Sequence, residues 1–134
     1  MQRVKVLLVD DDARFIKRIR QFLASETELE IVGEAGDGQE AIVKARELRP
    51  DLVLMDIRLP EMNGLEVTRR LKAEIPALTV VNLTIFDLSE YREAAVASGA
   101  SAFVRKRDMQ TRLLTRLWTL GFTSDKSSEA KTPG

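Results

Sequence analysis

Two groups of carboxylates stand at the ends of apolar segments. Asp56 follows the apolar residues 52–55, and the triplet Asp10-Asp11-Asp12 follows the segment 4–9. A short, wholly apolar run is typical of a strand that is buried on both faces of a parallel sheet. Open parallel sheets place their ligand chemistry at the carboxyl ends of their strands. We therefore expect the two acidic groups to meet in one pocket at one edge of one sheet.

A hydroxyl and an ammonium group follow two further apolar segments. Thr84 comes directly after residues 79–83, and Lys106 comes shortly after residues 102–104. Carboxylates held close together repel one another and attract a hard cation, and Mg²⁺ prefers oxygen ligands. A carboxylate oxygen that stays free can attack a phosphoryl donor, while a hydroxyl and an ammonium can bind the phosphoryl oxygens. The residue types therefore predict a site for a divalent cation and a phosphoryl group.

The composition excludes several classes of site. The chain has 134 residues, enough for one domain with a core, and its 21 basic and 21 acidic residues give a net charge of zero. No nucleic-acid-binding surface is implied for this segment. There is no histidine and no cysteine, which excludes a histidine base and thiolate metal sites. No apolar run approaches the roughly 18 residues of a membrane span, and we expect a cytoplasmic protein.

The hydrophobic pattern predicts five strands that alternate with five helices. The strands β1 to β5 are expected at 4–9, 30–35, 52–56, 79–83 and 102–104, and the helices α1 to α5 at 13–25, 39–48, 65–74, 89–98 and 108–121. This alternation indicates an α/β protein whose parallel sheet is covered on both faces. We expect residues 1–121 to form one domain and residues 122–134 to be a flexible polar tail or truncated linker.

Several details of these helices are also predicted. Asp12 can cap α1, and Asp87 or Ser89 can cap α4. The buried face of α3 is expected to carry three apolar residues at helical spacing. These three are Leu65, Leu71 and Ile75.

Four motifs together resemble the receiver domain of bacterial two-component response regulators, most closely the receivers of LuxR-type helix-turn-helix regulators. The motifs are Val9-Asp10-Asp11-Asp12, the loop 56–64, Leu83-Thr84 and the segment 99–106. Each is weak alone, but they have the order and spacing of the family and span nearly all of the chain up to α5. The resemblance implies a flavodoxin-like (βα)5 three-layer sandwich with strand order 2-1-3-4-5.

The resemblance also implies roles for individual acidic residues. Asp56 resembles the acceptor of a phosphoryl group from a histidine kinase or phosphotransfer protein. Asp11 and Asp12 resemble the pair that holds Mg²⁺, with the backbone carbonyl of Arg58 as a further ligand. We expect Asp10 to support this site rather than to bind the metal.

The remaining roles concern the phosphoryl group and the response to it. Thr84 resembles the switch hydroxyl, Lys106 the lysine that pairs with the phosphoryl group, and Phe103 the aromatic residue that changes rotamer with Thr84. The α4-β5-α5 face would then control a partner or an output domain, and a homodimer through this face or through α1/α5 is possible. The chain would be a signalling switch with autocatalytic phosphotransfer and autodephosphorylation, not an enzyme with turnover.

Three residues depart from the usual pattern of the family or vary within it. Ile85 stands where receivers often carry a small residue, and its β-branched side chain is stiff. Phe86 and Arg58 flank the pocket at positions that vary. Our hypothesis is that these side chains slow the entry of a hydrolytic water or alter the choice of partner.

Two other functions remain open at this point. One is a Mg²⁺-dependent phosphohydrolase, which would use Asp11 as its nucleophile and leave Asp56 dispensable. The other is a receiver-like interaction module that is never phosphorylated. Taken singly, Thr84 and Lys106 are ordinary strand-end and surface residues, and only the joint pattern favours the switch.

Overall fold

The computed structural model describes residues 3–85 and 89–124. Its strands form one sheet in the order β2-β1-β3-β4-β5, and every neighbouring pair is parallel. The predicted strand order is therefore confirmed. The strands are β1 (Val4–Val9), β2 (Leu29–Ala35), β3 (Leu52–Asp56), β4 (Thr79–Thr84) and β5 (Ala102–Arg105). Because all strands run the same way, their carboxyl ends lie along a single edge of the sheet.

The helices lie on both faces of this sheet, so the three-layer sandwich is confirmed. They are α1 (Ala13–Leu23), α2 (Gly38–Leu48), α3 (Gly64–Glu74), α4 (Ser89–Ser98) and α5 (Leu114–Thr119). One apolar cluster joins the sheet to α1 and α5, and a second joins it to α2 and α3. No helix in the described ranges is both long and apolar enough to cross a membrane.

The central strand β3 shows why an apolar run ends at a carboxylate. All of its residues are buried. Leu52 and Leu54 pack into the cluster with α1 and α5, while Val53 and Met55 pack into the cluster with α2 and α3. Since successive side chains of a strand point to opposite faces, a strand covered on both sides has no place for a polar residue before its end. Asp56 occupies that end.

The last helical segment differs from the single helix expected over residues 108–121. A 3₁₀ turn (Lys106–Asp108) and a π-helical turn (Met109–Leu113) precede the short α5. The buried residues Met109, Leu113 and Leu117 recur every four positions. Four residues overshoot one α-helical turn by about 40°. The wider π turn takes up this rotation, so all three side chains face the sheet.

The buried face of α3 also differs from the prediction. Leu71 is buried as expected, but Leu65 and Ile75 are only partly buried. Gly64, Val67 and Thr68 share the buried face with Leu71. The helix begins at Gly64, where the Asn63 side chain accepts hydrogen bonds from the backbone N–H groups of Leu65 and Glu66. This start sets the spacing 64, 67, 68, 71 toward the sheet, which is one face of a helix.

Three residues that were assigned to the tail pack against the domain. Phe122 packs against the cluster of α1 and α5, and Thr123 is buried. The backbone N–H of Ser124 donates to Glu28 Oε1 at 3.0 Å. The domain therefore extends at least to Ser124. Residues 125–134 and the proposed cap Asp87 lie outside the described residues.

Candidate functional site

Three carboxylates meet at the carboxyl edge of the sheet. Oxygen atoms of Asp10, Asp11 and Asp56 all lie within 4.8 Å of one another. The register explains the meeting, because Val9 pairs with Met55 and so places Asp10 beside Asp56. Asp10 is 5% exposed and Asp56 is 4% exposed. The sheet thus holds two of these carboxylates away from water and close together, where their charges repel.

Asp12 is not part of this cluster among the described residues, which departs from the predicted pair of Asp11 and Asp12. Asp12 Oδ1 accepts hydrogen bonds from the backbone N–H of Arg14 at 3.0 Å and of Phe15 at 3.4 Å. Its side chain is the N-cap of α1. The third carboxylate of the cluster is that of Asp10 instead, and Asp10 Oδ1 accepts a hydrogen bond from the backbone N–H of Asp12 at 2.8 Å.

A signal for Asp10 was present in the sequence. The apolar strand ends at Val9, so Asp10 is the first residue beyond β1, and Asp56 is the last residue of β3. The rule that selected Asp56 from its strand end therefore also selects Asp10. In the structure, the acidic pair nearest to Asp56 is therefore Asp10 and Asp11, and a metal-binding role for Asp12 stays a prediction.

Lys106 supplies the positive charge of the site. Its Nζ lies 2.6 Å from Asp10 Oδ2 and 3.4 Å from Asp56 Oδ2, and its side chain is 12% exposed. The Phe15 ring covers the ammonium, with 4.3 Å between Nζ and the ring centroid. The contact with Asp10 is an ion pair without hydrogen-bond geometry, so Asp10 Oδ2 has no hydrogen-bond partner among the described residues. Lys106 therefore bridges two buried carboxylates and offsets part of their charge.

The environment of Asp56 makes its carboxyl easier to protonate than that of an exposed aspartate. Burial raises the pKa of this carboxyl, and the negative charge of Asp10 raises it further. Lys106 and the hydrogen bond from the Arg58 backbone N–H oppose the rise, and the resulting pKa is about 6. A cation bound here would favour the ionised form, which is the form that acts as a nucleophile.

The acidic cluster opens into a cleft of about 380 Å³. Its lining includes Asp11, Asp56, Lys106 and, at the mouth, Ile85, which is 69% exposed. The predicted neighbour Phe86 lies outside the described residues. A larger cleft of about 460 Å³ lies between α2 and α3, where Arg46 pairs with Glu74 at 2.7 Å. That cleft lacks the carboxylate cluster and is the weaker candidate for chemistry.

Thr84 and Phe103 occupy neighbouring strands near the site. Thr84 is the last residue of β4, is fully buried and pairs with Arg105 of β5. Phe103 is partly buried and lies under α4, with Arg92 Cζ 5.2 Å from its ring centroid. The ring does not line the acidic cleft. Their coupling as switch residues stays a prediction.

Arg58 contributes its backbone to the site. Its N–H donates to Asp56 Oδ1 at 3.1 Å, and the residue lines the cleft. This hydrogen bond orients the Asp56 carboxylate and stabilises its negative charge. The predicted role of the Arg58 carbonyl as a metal ligand stays a prediction.

The donor set fits a hard divalent cation. The cluster offers only carboxylate oxygens, two of its members are buried, and Asp10 Oδ2, which is ion-paired with Lys106, has no hydrogen-bond partner among the described residues. Mg²⁺ is held in proteins by one or a few carboxylates together with water. The residues present therefore suit Mg²⁺.

Comparison with known proteins identifies the family. Residues 6–118 match the model of the response regulator receiver domain. The response regulator protein VraR of Staphylococcus aureus is 40% identical over 105 residues, which are 77% of this chain and 49% of that protein. VraR of Staphylococcus epidermidis is 41% identical over 105 residues, with the same coverage. The chain spans about half the length of the curated relatives it matches.

Solved structures agree with this match. A two-component response regulator of the LuxR family from Aurantimonas superposes with a TM-score of 0.84 at 27% identity, covering 96% of this chain and 94% of that one. The response regulator domain of Thermotoga maritima CheB gives 0.80 at 27% identity and covers 88% and 96%. The resemblance stated from the motifs is confirmed: this chain belongs to the family of response regulator receiver domains.

Proposed function

We propose that the chain is a phosphorylation-dependent switch in which Asp56 accepts a phosphoryl group from a histidine kinase or a phosphotransfer protein. The observation that carries the proposal is the position of Asp56. It is a buried carboxylate at the sheet edge with Lys106 3.4 Å away and two further carboxylates within 4.8 Å. This arrangement combines a nucleophile, a counter-charge and a set of cation ligands in one cleft.

The transfer would proceed as a direct displacement. A carboxylate oxygen of Asp56 forms a bond to phosphorus while the bond from phosphorus to the donor histidine nitrogen breaks, and the imidazole keeps the electron pair. Lys106 then lies beside the added phosphoryl oxygens and offsets their charge. Loss of the phosphoryl group is a separate step: water attacks phosphorus, the bond from phosphorus to the Asp56 oxygen breaks with its electron pair going to the carboxylate, and inorganic phosphate and a proton are released.

Asp10, Asp11 and Asp56 would hold Mg²⁺. When bound, this ion neutralises charge between the Asp56 oxygen and the phosphoryl oxygens. The assignment replaces Asp12 by Asp10, because the Asp12 side chain is committed to the cap of α1. Asp12 lines the cleft but gives its oxygen to backbone donors.

The output surface would be the α4-β5-α5 face. Phosphorylation adds charge at the end of β3, and Thr84 on the adjacent β4 would turn toward it, with Phe103 of β5 following. Phe103 and Arg92 line a small groove of about 180 Å³ on this face. A partner, an output domain or a second copy would be bound there, and α1/α5 is the alternative dimer face.

The role of the whole protein follows its relatives. The LuxR-family structure and the half-length match to VraR support the proposal that this receiver would regulate transcription through a further domain or a partner, and the cytoplasm is the location we propose for it. The described residues offer no reader of base edges themselves. The receiver would therefore act on DNA only through what it is attached to or what it binds.

The first prediction concerns the acceptor. The parent incubated with Mg²⁺ and acetyl phosphate is expected to gain one phosphoryl adduct by intact mass, whereas Asp56→Asn gains none because the nucleophile is gone. Steady hydrolysis of a small phosphate ester by Asp56→Asn, with loss of that activity in Asp11→Asn, would instead support the phosphohydrolase. An unmodified parent would favour the interaction module.

The second prediction concerns the metal ligands. Calorimetric titration with Mg²⁺ is expected to show affinities weakened by at least about tenfold in Asp10→Asn and Asp11→Asn. Asp12→Asn is the matched control, since asparagine also caps helices well and the metal ligands are untouched. Weak Mg²⁺ binding by Asp12→Asn together with parent-like binding by Asp10→Asn would instead support Asp11 and Asp12 as the metal ligands.

The third prediction follows from the raised pKa of Asp56. Asp56 is protonated in both states below about pH 4 and ionised in both above about pH 6, and only the folded protein bears the cost of that charge. Asp56→Asn should therefore stabilise the metal-free protein by roughly 1–3 kcal/mol at pH 7.5. The gain should vanish as the pH falls below about 4, and Mg²⁺ should reduce it at pH 7.5. Urea unfolding of both proteins measures this, and a loss of stability in the variant at pH 7.5 would contradict it.

The fourth prediction concerns Ile85 at the mouth of the cleft. Ile85→Ala is expected to shorten the lifetime of the phosphoryl group severalfold, because the smaller side chain admits water more readily. Val96→Ala on α4, where the valine is 73% exposed and outside the cleft, is the control. Decay is followed by intact mass after removal of acetyl phosphate. Equal lifetimes in all three proteins would show that Ile85 does not shield the site.

A further inference from the structure

A buried amide lies in the middle of the sheet, close to the site but outside its cleft. Asn82 is fully buried in β4, between Met55 of β3 and Phe103 of β5. A buried amide costs folding free energy unless its hydrogen bonds are replaced inside the protein. Its two neighbours on the strand, Val81 and Leu83, are apolar core residues. The hydrogen bond that compensates for the burial of the Asn82 amide therefore shows what this side chain does in the fold.

The amide is linked to the first turn of α3. Asn82 Nδ2 donates to Thr68 Oγ1 at 3.1 Å, and Thr68 Oγ1 donates to the Gly64 carbonyl at 2.7 Å. Since the single proton of the hydroxyl goes to Gly64, Oγ1 can only accept from Asn82, which sets the orientation of the amide. Asn82 Oδ1 has no hydrogen-bond partner among the described residues. Among the described residues, the Asn82 amide thus makes one side-chain hydrogen bond, which connects β4 to the first turns of α3.

The first turn of α3 rests directly on the backbone of the acceptor. The Gly64 N–H donates to the Ile57 carbonyl at 2.6 Å. A Cβ atom at Gly64 would lie 2.0 Å from the carbonyl oxygen of Asp56, so no side chain fits there. The Ile57 N–H also donates to the Leu83 carbonyl at 3.1 Å. Strand β4 therefore reaches the acceptor segment twice, once by its backbone and once through Asn82, Thr68 and Gly64.

We propose that Asn82 and Thr68 are positioning residues for phosphoryl transfer, which rests on the proposed role of Asp56 as acceptor. Their link holds Gly64 against Asp56 and Ile57 and so fixes the direction from which the Asp56 carboxylate enters the cleft. Neither side chain lines that cleft. A misplacement of about 1 Å can cost on the order of a hundredfold in rate, so a remote link of this kind can control reactivity.

A purely structural role makes a different prediction. A threonine hydroxyl that donates to the carbonyl four residues before it is common in helices, and a buried amide often does no more than satisfy a neighbour. The double variant Asn82→Leu with Thr68→Val separates the roles. It removes both polar partners at similar volume, so the urea midpoint of unfolding should be no lower than that of the parent. A positioning role still predicts slower chemistry.

The experiment compares the parent with the double variant, Thr68→Val and Thr68→Ser. One readout is hydrogen exchange of the backbone amides in residues 57–66 of the metal-free protein. The other is the rate of phosphoryl loading from acetyl phosphate at saturating Mg²⁺. We expect faster exchange and about tenfold slower loading in the double variant and in Thr68→Val. Thr68→Ser keeps the hydroxyl and should resemble the parent in both readouts.

Each outcome decides between the two proposals. Parent-like exchange and loading in the double variant and in Thr68→Val would overturn the positioning role and leave Asp56 as the acceptor. Thr68→Ser as slow as Thr68→Val would also overturn it, because the lost methyl group and not the hydroxyl would then matter. A parent that forms no adduct refutes the proposed function and with it a role of Asn82 and Thr68 in phosphoryl transfer, and the exchange readout then shows only whether their link orders residues 57–66. If the double variant unfolds, the comparison of Thr68→Val with Thr68→Ser decides between the positioning role and a purely structural role.

Discussion

The carboxylates of Asp10 and Asp56 are buried side by side with Lys106 between them, and the rest of the domain serves to hold this arrangement. Two like charges this close destabilise the fold unless a cation or a proton offsets them. Lys106 lies 2.6 Å from one and 3.4 Å from the other, yet the pKa of Asp56 remains raised. The site is therefore short of positive charge and suited to a cation, whose binding would leave Asp56 ionised and reactive.

The parallel sheet is what brings these charged side chains together. Parallel register places the carboxyl ends of β1, β3, β4 and β5 at one edge, so Asp10, Asp56 and Lys106 meet there. The backbone of Asp56 itself rests on Gly64 of α3. The Asp56 segment is thus held from β4 and from α3 at once, so a displacement of either element would change the position of the Asp56 carboxylate.

Much of this arrangement could be predicted from the sequence, and the rest depended on three-dimensional register. Buried runs that end at Asp56 and before Lys106 were enough to predict the parallel sheet, which is confirmed, and a phosphoryl site, which stays a prediction, while the strand order came from the family resemblance. Its position directly after β1 favours Asp10, but only the pairing of Val9 with Met55 and the cap of α1 show that Asp10, and not Asp12, lies in the carboxylate cluster. The contact of Asn82 with Thr68 leaves no periodic signal, since strand and helix meet only in the fold.

Locating the phosphoryl group within the chain tests the central claim most directly. The parent would be loaded with acetyl phosphate and Mg²⁺, reduced with borohydride to convert an acyl phosphate into a stable alcohol, digested and sequenced by tandem mass spectrometry. The account predicts that the reduced residue is Asp56, with Asp10 and Asp11 unmodified. Reduction at Asp11 or Asp10 with Asp56 intact would contradict the assignment of the acceptor and of the ligands around it.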